Sequence, residues 1–111
     1  MEISTQDMDR ASVIKVTGRV DSATAPDLET ALKQLVDGSK TKIVLDLTNV
    51  EYMSSAGLRA MVSTLKAVKR VNGDLRLASP SSRVEEVLRL AGLTSIFSIY
   101  PSQKDAVASF N

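Results

Sequence analysis

Ile43-Val44-Leu45-Asp46-Leu47, followed shortly by Glu51-Tyr52-Met53-Ser54-Ser55-Ala56-Gly57-Leu58, is the stretch from which the rest of the chain can be read. The first part is a short run of β-branched residues and leucines, the composition of a strand covered on both faces. Beyond the second part, Leu58, Met61, Val62 and Leu65 recur at i, i+3, i+4 and i+7, with Val68 one turn further. That spacing predicts an amphipathic helix with these residues facing inward. The small polar residues between are therefore a strand-to-helix junction. Ser54 stands where an N-cap belongs, because its hydroxyl can accept from a first-turn amide, and Ser55 falls in the first turn beside exposed amides and the positive end of the helix dipole.

Composition narrows the function classes. The chain has 111 residues, enough for one core and one domain spanning 1–111. It contains no histidine and no cysteine. The usual zinc ligands, thiol chemistry, imidazole acid–base catalysis and disulfides are therefore not available to it. The sequence has no Gly-rich phosphate loop and no G-x-S-x-G elbow, so it suggests no catalytic residues, no metal site and no cofactor. Ser39-Lys40-Thr41-Lys42 and Ser63-Thr64-Leu65-Lys66 match S-x-x-K, but neither has the companion motifs that give this spacing meaning. The net charge is +1 with cations scattered, which gives no footprint for nucleic acid. No apolar run approaches the roughly 20 residues of a membrane span, and the first residues lack the pattern of a signal peptide. A cytoplasmic protein is expected.

In chain order, residues 2–8 and 12–18 predict two strands joined at Asp9-Arg10-Ala11, with Gly18 and Asp21 marking the exit from the sheet. Thr24-Ala25-Pro26-Asp27 has capping-box spacing and opens a helix through Leu28, Ala31, Leu32, Leu35 and Val36, with Gly38 as a left-handed stop. Strand 42–47, the serine junction and the second helix follow, and the helix frays near Val71-Asn72-Gly73. Asp74–Ala78 is a strand, and Ser79-Pro80 starts a third helix with Val84, Val87, Leu88 and Ala91 inward, Gly92 as its end and Leu93 packing back. Ile96–Tyr100 alternates as a last short strand. Ser102-Gln103-Lys104-Asp105 caps a terminal helix with Ala106, Val107 and Phe110 inward. The order ββαβαβαβα implies an α/β domain, with a mixed, mostly parallel sheet of about five strands and about four helices.

These residues resemble the STAS domain of bacterial anti-sigma factor antagonists. Met53-Ser54-Ser55-Ala56-Gly57-Leu58 is similar to the family segment in which a serine before a small residue and Gly-Leu is phosphorylated. Gly18-Arg19-Val20-Asp21 is similar to the family's Gly-x-(Leu/Val)-Asp stretch, Leu45–Val50 to the strand that delivers the serine, and Leu90-Ala91-Gly92-Leu93 to the third-helix exit. The resemblance covers nearly the whole chain and implies the STAS fold. It makes Ser55 the phosphoacceptor, with Ser54 the alternative; spacing alone does not choose between them. It also implies a partner-binding surface of Asp21, Ser22, Thr24, Met53, Ser54, Ser55, Ala56, Gly57 and Arg59. One departure is Ser54, where many members carry aspartate, and another is Ala56, where they often have Ser or Thr.

Each residue also has a plainer role. Ser54 and Ser55 suit a helix start, Asp21 suits a turn, and Met61 suits the core, whereas Met53 could line an adaptable recognition surface. The function implied by the resemblance is a non-enzymatic binding switch. The unphosphorylated domain docks on a serine-kinase anti-sigma factor and frees a sigma factor, phosphorylation turns it off, and a serine phosphatase resets it. The alternatives are a STAS subunit of a stressosome-like or lipid-transport complex, and a nucleotide-binding STAS domain.

Overall fold

In the computed structural model, which describes residues 1–110, two strands come first, β1 (Glu2–Asp7) and β2 (Ser12–Val20), paired antiparallel from Glu2 against Thr17 to Asp7 against Ser12. Three crossovers then add parallel strands one after another: α1 (Ala25–Asp37) leads to β3 (Lys42–Met53), α2 (Ser55–Lys69) to β4 (Asp74–Ala78), and α3 (Ser82–Leu90) to β5 (Ile99–Tyr100). A terminal helix, α4 (Gln103–Ala108), follows. The spatial order of the sheet is the chain order, β1-β2-β3-β4-β5. Crossovers that always step in the same direction with the same hand place their helices on one face of the sheet. The expected ββαβαβαβα order is the one observed.

Alternation along β3 divides the interior in two. Ile43, Leu45 and Leu47 join Ile14, Val16, Leu75 and Leu77 in the main core, together with Leu28 and Leu32 of α1, Met61, Leu65 and Val68 of α2, and Val84 and Leu88 of α3. Val44 faces the other way and meets Val13, Ala78, Ala106 and Phe110, the cluster that α4 covers. A fully buried aliphatic or aromatic side chain contributes roughly 1.5–3 kcal/mol, so the larger cluster dominates the stability. Polar contacts fix α4 over the smaller one. Gln103 Nε2 donates to Asp46 Oδ2 at 2.8 Å, Arg76 Nη1 donates to Ser109 Oγ at 2.8 Å, and the Arg76 guanidinium lies 4.0 Å from the Phe110 ring centroid.

Several boundaries differ from the sequence reading. β3 runs on to Met53, so Glu51-Tyr52-Met53 is strand and the junction begins at Ser54. Exposed Thr48 and Asn49 interrupt the apolar run, yet Val50 and Met53 are buried and the strand continues through register shifts against β2. One of these shifts lies between Gly18 and Arg19. Gly18 is thus inside β2 rather than at its exit, and its φ of +102° is a bulge conformation that L-residues resist. Gly38 does not turn left-handed (φ −85°); Ser39 does so instead, at φ +64°. The cap of α3 is Ser81, whose Oγ accepts from Val84 N at 3.2 Å, whereas Ser79 (φ +54°) donates from its Oγ to Pro101 O at 2.9 Å. Ala91 is exposed rather than inward. Gly92 is left-handed as expected (φ +74°), but a 3₁₀ turn, Leu93–Ser95, follows it and Ile96 and Phe97 continue as turn and bend, which leaves the last strand only Ile99 and Tyr100 of the expected Ile96–Tyr100.

Candidate functional site

Val20, the last residue of β2, pairs with Met53, the last of β3, and Ser54 N donates to Val20 O at 2.8 Å. The loop after β2 and the serine junction after β3 are therefore neighbours at the carboxyl ends of adjacent parallel strands. That is where open α/β sheets present their functional groups. Behind them, Arg19 and Tyr52 are register partners, with the guanidinium 4.5 Å from the ring centroid.

The loop Asp21–Thr24 is closed by its own side chains. Asp21 Oδ1 accepts from Ala23 N and Thr24 N, both at 3.0 Å, and Asp21 N donates to Thr24 Oγ1 at 2.9 Å. The Thr24 hydroxyl proton is shared between Asp21 Oδ1 (3.1 Å) and Arg19 O (3.0 Å). Donation from Thr24, first by its backbone and then by its side chain, holds the Asp21 carboxyl below the usual carboxylate range. Thr24 occupies the N-cap position of α1 without a side-chain cap bond; the capping box is replaced by this Asp21-centred turn, and Ala25 N donates to Asp21 O at 2.8 Å. Asp21 and Thr24 are thus committed to shaping the loop, and Ser22 is exposed at its tip.

At the junction the two serines separate. Ser54 is extended (φ −83°, ψ 169°), half-buried, and accepts from Gly57 N at 3.2 Å, as an N-cap does. Ser55, the first helical residue, is exposed, and its hydroxyl has no hydrogen-bond partner among the described residues. Gly57 is buried against the strand ends. A Cβ there would lie 2.8 Å from Val20 Cγ1 and closer still to Met53 Sδ, so only glycine lets α2 start this near to β2 and β3. Met53 is itself buried, 2 % exposed. Of the expected contact residues, Met53 and Gly57 therefore lie beneath the surface and set its shape, whereas Ser22, Ser55 and Arg59 are exposed and Asp21, Thr24, Ser54 and Ala56 are half-exposed.

The buried stripe of α2 is Gly57, Ala60, Met61, Thr64, Leu65 and Val68. Leu58 and Val62, expected inside, are half-buried on its shoulder. They line an open groove with Leu93 that also takes in Ser55, Arg59 and Lys66. Periodicity missed this rotation because the column against the neighbouring elements is made of small residues, Gly57, Ala60 and Thr64, which carry little hydrophobic signal. The Thr64 hydroxyl is satisfied by donating to Ala60 O at 2.9 Å.

The family model for the STAS domain matches residues 2–106. The chain belongs to the STAS domain family. Among its relatives is a Bordetella bronchiseptica protein provisionally named as the anti-sigma factor antagonist BtrV, 36% identical over 99% of this chain and 95% of that protein. Another is the anti-sigma-B factor antagonist of Staphylococcus aureus, 31% identical over 89% of this chain and 92% of that one. The crystal structure of an anti-sigma factor antagonist from Mycobacterium paratuberculosis superposes with a TM-score of 0.90 at 30% identity, covering 98% and 92% of the two chains. By descent, then, this STAS domain groups with proteins named as anti-sigma factor antagonists.

Proposed function

We propose that this STAS domain is an anti-sigma factor antagonist that docks on a serine-kinase anti-sigma factor through the exposed start of α2 and the neighbouring Asp21–Thr24 loop, and that phosphorylation of Ser55 releases it. The observation that carries the reading is the division of labour between the serines. Ser54 uses its hydroxyl to cap the helix, and Ser55 offers an exposed hydroxyl with no competing hydrogen bond. A kinase needs the second kind of group. A serine phosphatase would restore the binding form.

Phosphate at Ser55 adds about −1.5 to −2 charges at neutral pH beside the unpaired amides of a helix start, where the dipole favours negative charge by typically 0.3–1 kcal/mol. The helix is therefore not melted by the modification. The change falls on the outer surface, where a like-charge or unpaired-charge clash costs several kcal/mol, and each 1.4 kcal/mol is about tenfold in affinity. Release thus needs no refolding.

The test is incubation with the cognate kinase and ATP, followed by mass spectrometry and titration against the anti-sigma factor. The expected results are phosphate on Ser55, tight binding only of the unmodified form, and a Ser55→Ala protein that binds and cannot be switched off. Phosphate on Ser54 with Ser55 bare would move the switch to the cap and refute the assignment.

A further inference from the structure

Ser55 and Arg59 stand one helical turn apart at i and i+4, a spacing that puts side chains on the same helix face with Cβ atoms about 5–6 Å apart. Both line the groove whose floor is Leu58, Val62 and Leu93, and Lys66 lies further along it. No carboxylate lines this groove, and neither Arg59 nor Lys66 forms a salt bridge among the described residues. At the α3 end the groove is bounded by exposed Ala91. An apolar floor with an unpaired cationic rim is complementary to an apolar protein segment bearing a carboxylate.

Resting on the reading of Ser55 as the switch, the geometry points to Arg59 as the residue through which phosphate acts: with Ser55 bare, Arg59 pairs with a carboxylate on the anti-sigma factor segment seated in the groove, and with Ser55 phosphorylated it folds back onto the phosphate and is lost to the partner. Arginine suits both roles, since its planar fork matches carboxylate and phosphate alike. The phosphate contributes about −1.5 to −2 charges, more than enough to pair with the one guanidinium a helical turn away. Lys66 is eleven positions from Ser55, about 16 Å along the helix at 1.5 Å per residue, too far to be captured in the same way.

The experiment uses full-length protein with phosphoserine encoded at position 55, alongside the unmodified protein, in wild-type, Arg59→Gln and Lys66→Gln backgrounds. Affinity for the anti-sigma factor and the ³¹P NMR titration of the phosphoserine are measured for each. The expected results are that Arg59→Gln weakens the unmodified complex at least tenfold, that phosphate then costs it at least tenfold less affinity than it costs the wild type, and that the phosphoserine titrates at lower pH when Arg59 is present. Lys66→Gln is expected to weaken both forms by the same factor. An equal loss on phosphorylation with and without Arg59, or an unchanged phosphoserine titration, overturns the inference while leaving Ser55 as the switch. Unmodified wild type that does not bind the anti-sigma factor overturns the reading beneath it, and the NMR titration needs no partner.

Discussion

Gly57→Ala probes whether α2 is wedged onto the strand ends or merely begins near them. The added Cβ would meet Val20 Cγ1 at 2.8 Å and Met53 Sδ closer still, both buried. Met53 has rotatable bonds with which to yield, but Val20 is β-branched, fully buried and fixed in a strand. Overpacking of this kind costs roughly 1–3 kcal/mol, against a gain of about 0.8–1.0 kcal/mol from replacing glycine by alanine in a helix. The net expectation is a loss of about 0–2 kcal/mol. It would be accompanied by a tilt of the first turn that displaces Ser55 relative to the Asp21–Thr24 loop. Urea unfolding reads the first quantity, and amide exchange at Gly57 and Leu58 reads the second. Because the two contributions have opposite signs, the outcome decides the matter: a variant stabilised by close to 1 kcal/mol, as at an unobstructed helical site, would refute the wedge.

Other expectations are simpler. Ser54→Ala should lose about 1 kcal/mol with its cap, whereas Ser55→Ala, exposed, should stay within about 0.5 kcal/mol of wild type; equal denaturation midpoints would contradict their different roles. Leu65→Ala should cost roughly 2–5 kcal/mol and half-buried Leu58→Ala clearly less, and the reverse order would mean that α2 is rotated from its described position. Asp46 gives a pH test. Burial pushes its carboxyl up, but donation from Thr48 and from Gln103 outweighs this and holds it below the usual carboxylate range. A folded-state pKa below the unfolded one means that the contribution is fully present above the ordinary carboxylate value and is lost from about pH 5 downward, as pH falls through the lower folded-state value. Asp46→Asn should therefore flatten the acid limb of the stability curve relative to wild type, and parallel curves would refute the assignment.

The fold was legible where pattern and burial coincide. Ile43–Leu47, the Ser54 cap, Gly92 and the Ser102 cap, which accepts from Asp105 N at 3.0 Å, fall where periodicity and capping place them. Reading failed where tertiary contacts overrule a local signal. The strand expected to stop at Leu47 runs on through exposed Thr48 and Asn49 because Asn49 pairs with Thr17, Ser79-Pro80 looks like a helix start but is held by Pro101, and Ser39 rather than Gly38 turns left-handed. For the site, the junction and its serines were visible, but that Ser54 spends its hydroxyl on the cap while Ser55 is exposed needed the surroundings of both side chains. The role of Gly57 needed the positions of Val20 and Met53, which lie far from each other in sequence. The shoulder of Leu58 and Val62 was hidden because small residues occupy the closest contacts.

The agreement between sheet order and chain order also bears on how the domain is made. Every strand pairs with its immediate successor, so no strand has to be inserted between two that have already met, and the crossovers of residues 21–41, 54–73 and 79–98 are loops of similar length. Closure entropy grows slowly with loop length, and short sequence separations between contacts favour fast folding. A chain emerging from the ribosome can thus add one strand at a time in the order of synthesis. Until α4 arrives, however, Val13, Val44 and Ala78 remain uncovered on the far face. That makes the terminal helix the step that removes the last sticky surface of the nascent domain.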